Sequence, residues 1–168
     1  MNRMALELVA PALGERVLEI GFGGGALLRM MRARGAQVAG VDASDAMVRR
    51  LRGFDVHVAS AERLPFPSSA LDAAVSLNSL YFWPDPQAAF RESARVLRPG
   101  GRLVIGLEPP QELRKWPGHR HGFRLFEVAE VRALLEQSGF TDITEHWGRG
   151  RKPDLFCCLS ATRIGANG

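Results

Sequence analysis

Apolar positions along this chain follow two rhythms. Short, nearly continuous runs such as "RVLEI" (16–20) and "QVAGVD" (37–42) suit strands covered on both faces. Between them, apolar residues recur every three or four positions, as on one side of a helix. The pattern predicts a helix over 3–10, stopped by Pro11 and Gly14. The strand at 16–20 leads into a helix over 25–35 with Leu27, Met30 and Met31 inward and Arg29 and Arg32 outward. After the strand at 37–42, Ser44 caps a helix carrying Met47, Val48 and Leu51. Strands follow at "FDVHVAS" (54–60) and "ALDAAVSL" (70–77). Asp85 and Pro86 open a helix whose Phe90, Ala94 and Leu97 share a face, and "RPGG" closes it before the strand "RLVIGL" (102–107). An irregular stretch precedes a helix over about 127–138, and "FTDITEHW" and "LFCCLSAT" are the last two strands.

Strand and helix alternating in this way predict an α/β protein, a doubly wound, mostly parallel sheet with helices on both faces. The 168 residues form one domain, 1–168, long enough to bury about two thirds of the unfolded surface. Charge changes the picture little. The net charge is +4 and 20 of the 22 basic residues are arginine, but they are spread along the chain, the densest cluster being "RRLR" at 49–52. Such arginines read as solvated helix backs, and nucleic acid is kept as a secondary partner class. Cys157 and Cys158 are neighbours that project to opposite faces of a strand. A disulfide between them would be strained, and no zinc-like spacing exists, so both read as small core residues in a reducing compartment. The N-terminus lacks a signal-peptide core and no apolar run reaches membrane-spanning length. The expected location is the cytoplasm.

Chemistry concentrates in "VLEIGFGGGALL" (17–28), a strand running into a glycine-packed turn and then a helix. Gly21, Gly23 and Ala26 fit the G-x-G-x-x-G/A of dinucleotide binders, while Gly21, Gly23 and Gly25 after Glu19 fit a G-x-G-x-G turn. Glycines let the backbone approach a ligand and adopt positive φ, and free N–H groups at the helix start suit an anion. Both a pyrophosphate and an amino-acid carboxylate would qualify. Asp42, 21 residues beyond Gly21, stands where a carboxylate accepts from two ribose hydroxyls. Glu19 separates the two readings, because a charge inside a buried strand needs a cation beside it, and a methionine-type ammonium supplies one.

Together with "VAGVDASDAM", "ASAERLPFP" and "ARVLRPGGRLVIG", this stretch resembles class I S-adenosylmethionine-dependent methyltransferases of the type-11 or ubiquinone/menaquinone-methyltransferase-like group, over roughly residues 14–140. The resemblance implies a Rossmann-like seven-stranded sheet of order 3-2-1-4-5-7-6, with "LFCCLSAT" antiparallel, and S-adenosyl-L-methionine as cofactor. Glu19, Gly21, Phe22, Gly23 and Gly25 fall on the motif cradling the methionine half. Asp42 falls on the ribose-binding acid, Ala43 and Met47 near the adenine, and Ala61 and Glu62 beside its amino group. Ser60 stands where relatives often have aspartate, removing one adenine hydrogen bond. Asn78 and Ser79 fall beneath the reactive sulfonium.

Methyl transfer from a sulfonium needs mainly alignment and exclusion of water, and a base only where the acceptor must lose a proton. "NSLYFWPDP" (78–86) lies at the carboxyl edge, where Tyr81, Trp83 and, from the following loop, His119 are expected to meet the acceptor. Phe82 is expected instead to pack the next helix. His119, His121 and Tyr81 are candidates for a base, with surface or structural roles as the bland alternative for the histidines. "NSLY" is not the N-P-P-Y string of nucleic-acid amino methylation. A small or medium organic acceptor is therefore expected, with an RNA or protein methyltransferase and a non-catalytic cofactor-binding subunit as alternatives. Only thirteen residues precede "GERVLEI", a shortened N-terminal cap. The resemblance then implies an open site, one closed by a homodimer or partner subunit, or a chain that begins late.

Overall fold

The computed structural model describes residues 1–115, 124–150 and 154–165. In chain order the first half comprises α1 (Asn2–Val9), β1 (Arg16–Ile20), α2 (Ala26–Ala33), β2 (Gln37–Asp42), α3 (Asp45–Arg50) and β3 (Asp55–Val58). The second comprises β4 (Leu71–Leu77), a 3-10 turn (Leu80–Phe82), α4 (Pro86–Val96), β5 (Leu97–Leu107), α5 (Pro110–Leu113), α6 (Val128–Gln137), β6 (Phe140–Arg149) and β7 (Leu155–Arg163). The strands form one sheet in the order β3-β2-β1-β4-β5-β7-β6. β7 runs antiparallel between β5 and β6, while β1 lies parallel between β2 and β4. Strand order reverses at the β1–β4 boundary, and in such sheets the ligand cleft opens there, beyond the carboxyl ends.

Two apolar layers cover the sheet, and the strand period decides which residue joins which. Leu18 and Ile20 of β1 enter the layer made with α4 and α6, whereas Val17 enters the one made with α1 and α2. Glu19 therefore projects toward α1 and α2, into the second layer. The cysteines divide in the same way, Cys157 into one layer and Cys158 into the other, both fully buried as free thiols. Desolvation pushes the Cys157 thiol up to about 12 and Cys158 to about 11, so neither is a nucleophile near neutral pH.

The observed elements differ from the expected ones at three places. In α2 the buried residues are Leu27, Leu28 and Met31, with Met30 only half-buried, because the helix turns Leu28 rather than Met30 onto the sheet. Leu97 belongs to β5, not to the preceding helix. Its extended backbone ends α4, it pairs with Leu71, and "RPGG" bends within the strand at Gly100 (φ +73°). The irregular stretch after β5 contains the short helix α5, capped by Pro109. No helix among the described residues is long and apolar enough to cross a membrane.

One side-chain cluster fixes the loop that approaches the cleft from α4. Glu92 accepts from the backbone N–H of Leu64 (2.9 Å), and Arg95 donates to the carbonyls of Phe66 (3.0 Å) and Leu64 (3.2 Å). The two side chains also pair with each other at 2.7 Å, which holds the Glu92 carboxyl below the usual range. An i,i+3 pair on an exposed helix contributes little alone, but here it anchors the loop carrying Ala61 and Glu62.

Candidate functional site

The three glycines of the first turn do different work. All lie at positive φ: Gly21 at +74°, Gly23 at +49° and Gly25 at +70°. A Cβ on Gly21 would overlap Ser79 Oγ, and one on Gly25 would overlap the Leu51 side chain, so these two allow chain to meet chain. A Cβ on Gly23 would meet nothing within 4 Å and would stand in the cleft. Gly23 is thus the glycine that keeps the backbone open toward a ligand. Phe22 between them is buried beneath Gly40 and also borders the smaller cavity described below.

Asp42 ends β2 with its carboxylate held in place. One oxygen accepts from the Gly23 N–H (3.0 Å) and the other from the Ser44 N–H (2.9 Å). Each oxygen keeps a free lone pair, so an oriented carboxylate faces the cleft with capacity for two hydroxyl donors. The cleft has a volume of about 570 Å³ and runs from Gly21 and Gly23 past Asp42 to the loop at 59–62 and to Trp83. Ala43, half-buried Met47, Ala61 and Glu62 line it, as does Ser60. Glu62 accepts from the Asp85 backbone N–H (3.2 Å), tying that rim to the start of α4.

A second cavity, of about 250 Å³, opens on the other side of Gly21 and Gly23. Met1, Asn2, Glu19, Phe22, Leu27 and Asn78 are among its walls. Glu19 is 4% exposed, and its Oε2 has no hydrogen-bond partner. Burial pushes its carboxyl up to about 8, opposed by the Leu28 backbone and reinforced by the charge of Asp42. An orphaned buried carboxylate at a cavity wall is costly without a donor or cation against it. The residues present fit an aminoacyl group in this cavity and a ribonucleoside in the cleft. Gly21, Gly23, Leu77 and Asn78 border both spaces, so that is where the two halves of one ligand would join.

The β4–β5 edge departs from expectation. Asn78 sits at φ +53°, a left-handed conformation that asparagine tolerates, and redirects the chain as β4 ends. Ser79 packs on Gly21 and accepts from Trp83 Nε1 (3.1 Å). Trp83 is buried, packs edge-on against Phe90 of α4 at 5.5 Å, and lines the nucleoside-sized cleft beside Ala61. Phe82, expected to pack that helix, is instead 61% exposed at the rim of the cleft, because the 3-10 turn directs its neighbours Tyr81 and Trp83 inward. Tyr81, expected at the acceptor, is 5% exposed and lines neither cavity. Its hydroxyl accepts from the Glu108 N–H (2.5 Å) and lies 3.3 Å from the Glu108 carbonyl and 3.4 Å from Asn78 Oδ1. Burial pushes the phenol further above its ordinary range, which removes it as a base near neutral pH. His119 and His121 lie outside the described residues.

Glu108 was not singled out by sequence reasoning. It follows β5 directly, is half-buried, and its carboxylate is hydrogen-bonded by the Asn78 side chain. Desolvation first, then the charges of Asp154 and Glu112, raise its carboxyl above the ordinary value. The available signal was positional, an acid immediately beyond a strand at the carboxyl edge and before "PP".

Relatives share this frame. The uncharacterised methyltransferase YdaC of Bacillus subtilis (strain 168) is 28% identical over 171 residues, covering 97% of this chain and 91% of its own. The 27-O-demethylrifamycin SV methyltransferase of Amycolatopsis mediterranei is 38% identical over 104 residues, 55% of this chain but only 38% of that protein. In three dimensions, the methyltransferase solved in complex with the Haloferax volcanii Trm112 methyltransferase activator superposes with a TM-score of 0.84 at 19% identity, covering 98% of this chain and 92% of that one. That likeness extends the fold alone. The family described as methyltransferase domain matches residues 18–105, from β1 through the heart of β5. Those residues carry the glycine turn, Asp42 and Asn78, and by that match the chain belongs to the class I S-adenosylmethionine-dependent methyltransferases.

Proposed function

We propose that this enzyme methylates a small or medium organic acceptor. Glu19, Gly21, Phe22, Gly23 and Gly25 cradle the methionine half of S-adenosylmethionine, and Asp42, Ala43, Met47, Ala61 and Glu62 hold its nucleoside. The observation that carries the assignment is the meeting of two cavities at Gly21, Gly23 and Asn78, one walled by an orphaned buried carboxylate and the other by an oriented one. The bound sulfonium supplies an already activated methyl group. The chain's own work is alignment. Asp42 fixes the ribose, Glu19 receives the α-ammonium, and Asn78 and Ser79 form the floor beneath the transfer point. Met1 and Asn2 wall the methionine side and exclude water from it. Acceptor size is supported by the rifamycin relative, whose name states a small-molecule substrate.

Calorimetry with S-adenosylhomocysteine and with NAD tests the reading. Binding of the former alone is expected, and Asp42→Ala should weaken it by about tenfold to a hundredfold, the loss of two charge-assisted hydrogen bonds. Binding of NAD alone, or unchanged affinity in Asp42→Ala, overturns the assignment.

A further inference from the structure

The cofactor cradle leaves one polar constellation unused. At the end of β4, Asn78 reaches in two directions, bordering both cavities at the transfer point and hydrogen-bonding the Glu108 carboxylate beyond β5. Tyr81 lies under this pair, and the Glu108 N–H donates to its hydroxyl at 2.5 Å. A buried phenol thus pins the backbone at Glu108, so the carboxylate is held next to the transfer point by a rigid support rather than by a loop.

Among the described residues, no cation forms an ion pair with Glu108. The charged groups around it are Asp154, Glu112 and the Met1 ammonium. Of the two carboxylates, Glu112 is neutralised by Lys115 at 2.7 Å. A half-buried carboxylate one hydrogen bond from the reacting centre, with a second acid beside it, makes this side of the cleft favourable for a cation and unfavourable for an anion.

We propose that Glu108 is the acceptor-side carboxylate of this active site, and that the acceptor is an amine whose N–H it holds and whose proton it receives. The inference rests on the cofactor assignment made above. In the reacting complex the amine nitrogen uses its lone pair to form the new N–C bond. The C–S bond breaks, its electron pair stays on sulfur, and the proton lost from nitrogen passes to a Glu108 oxygen. Charge balances, since a sulfonium and a carboxylate become a thioether and a carboxylic acid. The raised affinity of Glu108 for a proton suits it to that role. Asn78 is a positioning residue in this scheme, and Tyr81 acts only by fixing the backbone.

Sinefungin tests the geometry without knowledge of the acceptor, because it carries an amine-bearing carbon in place of the methyl-bearing sulfur. Its extra ammonium would lie where the acceptor nitrogen must come. The full chain should bind sinefungin more tightly than S-adenosylhomocysteine by calorimetry. Glu108→Gln should lower sinefungin affinity by about tenfold or more while leaving S-adenosylhomocysteine within about twofold. Glu112→Gln should change neither by more than about twofold, since Lys115 already neutralises that carboxylate. If Glu108→Gln weakens both ligands equally, or neither, the proposal is overturned and the cofactor assignment stands. If the two variants act alike, the contact is a general field effect and the proposal is again overturned. If neither ligand binds the parent chain, the cofactor assignment falls and the proposal falls with it.

Discussion

On the β1–β2 side of the cleft the backbone makes most of the site, while on the β4–β5 side the side chains make it through one another. Gly21, Gly23 and Gly25 supply turns and clearances, and two backbone N–H groups orient Asp42. Across the sheet, Ser79 holds Trp83, Asn78 holds Glu108, and Glu108 is seated on Tyr81. A site written in backbone geometry tolerates little change and binds a constant ligand. One written in side-chain contacts is retuned by single substitutions, which suits a surface that meets a variable acceptor.

The largest expected effect divides the backbone side against itself. Gly21→Ala brings a strained φ and an overlap with Ser79 Oγ, whose displacement breaks the bond from Trp83. A loss of about 2–3 kcal/mol in urea unfolding is expected. Gly23→Ala has the strain without the overlap, so about 1 kcal/mol is expected, with a disproportionate loss of S-adenosylhomocysteine affinity. Equal unfolding losses for both variants would show that the three glycines are interchangeable supports and that Gly23 has no ligand-facing role.

Glu19 gives the next effect and a sign to check. Its folded carboxyl is raised to about 8 from an ordinary 4.5. Between those values the folded chain binds the proton and the unfolded chain does not, so stability falls as pH rises through that window and is flat beyond it. Glu19→Gln lacks this fall and should be more stable than the parent at pH 8, with little difference below pH 4. An ammonium favours the ionised form, so ligand binding releases a proton and affinity climbs toward pH 8. Calorimetry in buffers of different ionisation heat reads that proton directly. Glu19→Gln should bind about tenfold more weakly and without proton release. Proton release that persists in the variant would assign the linkage to another group.

The two sides were also unequally legible in the sequence. β1, the glycine turn and Asp42 follow from local chemistry, since strand period, positive-φ demand and spacing all act within about twenty residues. Glu19 stood out because a charge violated that local pattern. The β4–β5 side depends on the 3-10 turn at Leu80–Phe82, which decides that Tyr81 and Trp83 turn inward and Phe82 outward. Nothing in "LYFW" distinguishes the three aromatics by residue type, so Tyr81 was placed at the acceptor and Phe82 in the core, the reverse of what the turn does. Glu108 is linked to Asn78 across thirty positions, a contact that only sheet register creates. The strand order itself was legible from the family resemblance rather than from periodicity, which sets strands but not their neighbours.

The smallest effect runs in the favourable direction and probes the rim between the two sides. Ser60 is exposed and lines the cleft next to Ala61, on the loop that Glu92 and Arg95 fasten to α4. Because the loop is fastened, a longer acid at position 60 extends over the cleft without dragging the backbone with it. Ser60→Asp should therefore restore an acceptor for the adenine amino group and tighten S-adenosylhomocysteine by about two- to fivefold, the worth of one hydrogen bond at a partly solvated rim. S-inosylhomocysteine, which offers a carbonyl where the amino group stood, should gain nothing and lose a little by repulsion. A gain shared by both ligands would mean that the new carboxylate acts through general electrostatics, and that the nucleoside does not direct its amino edge at this loop.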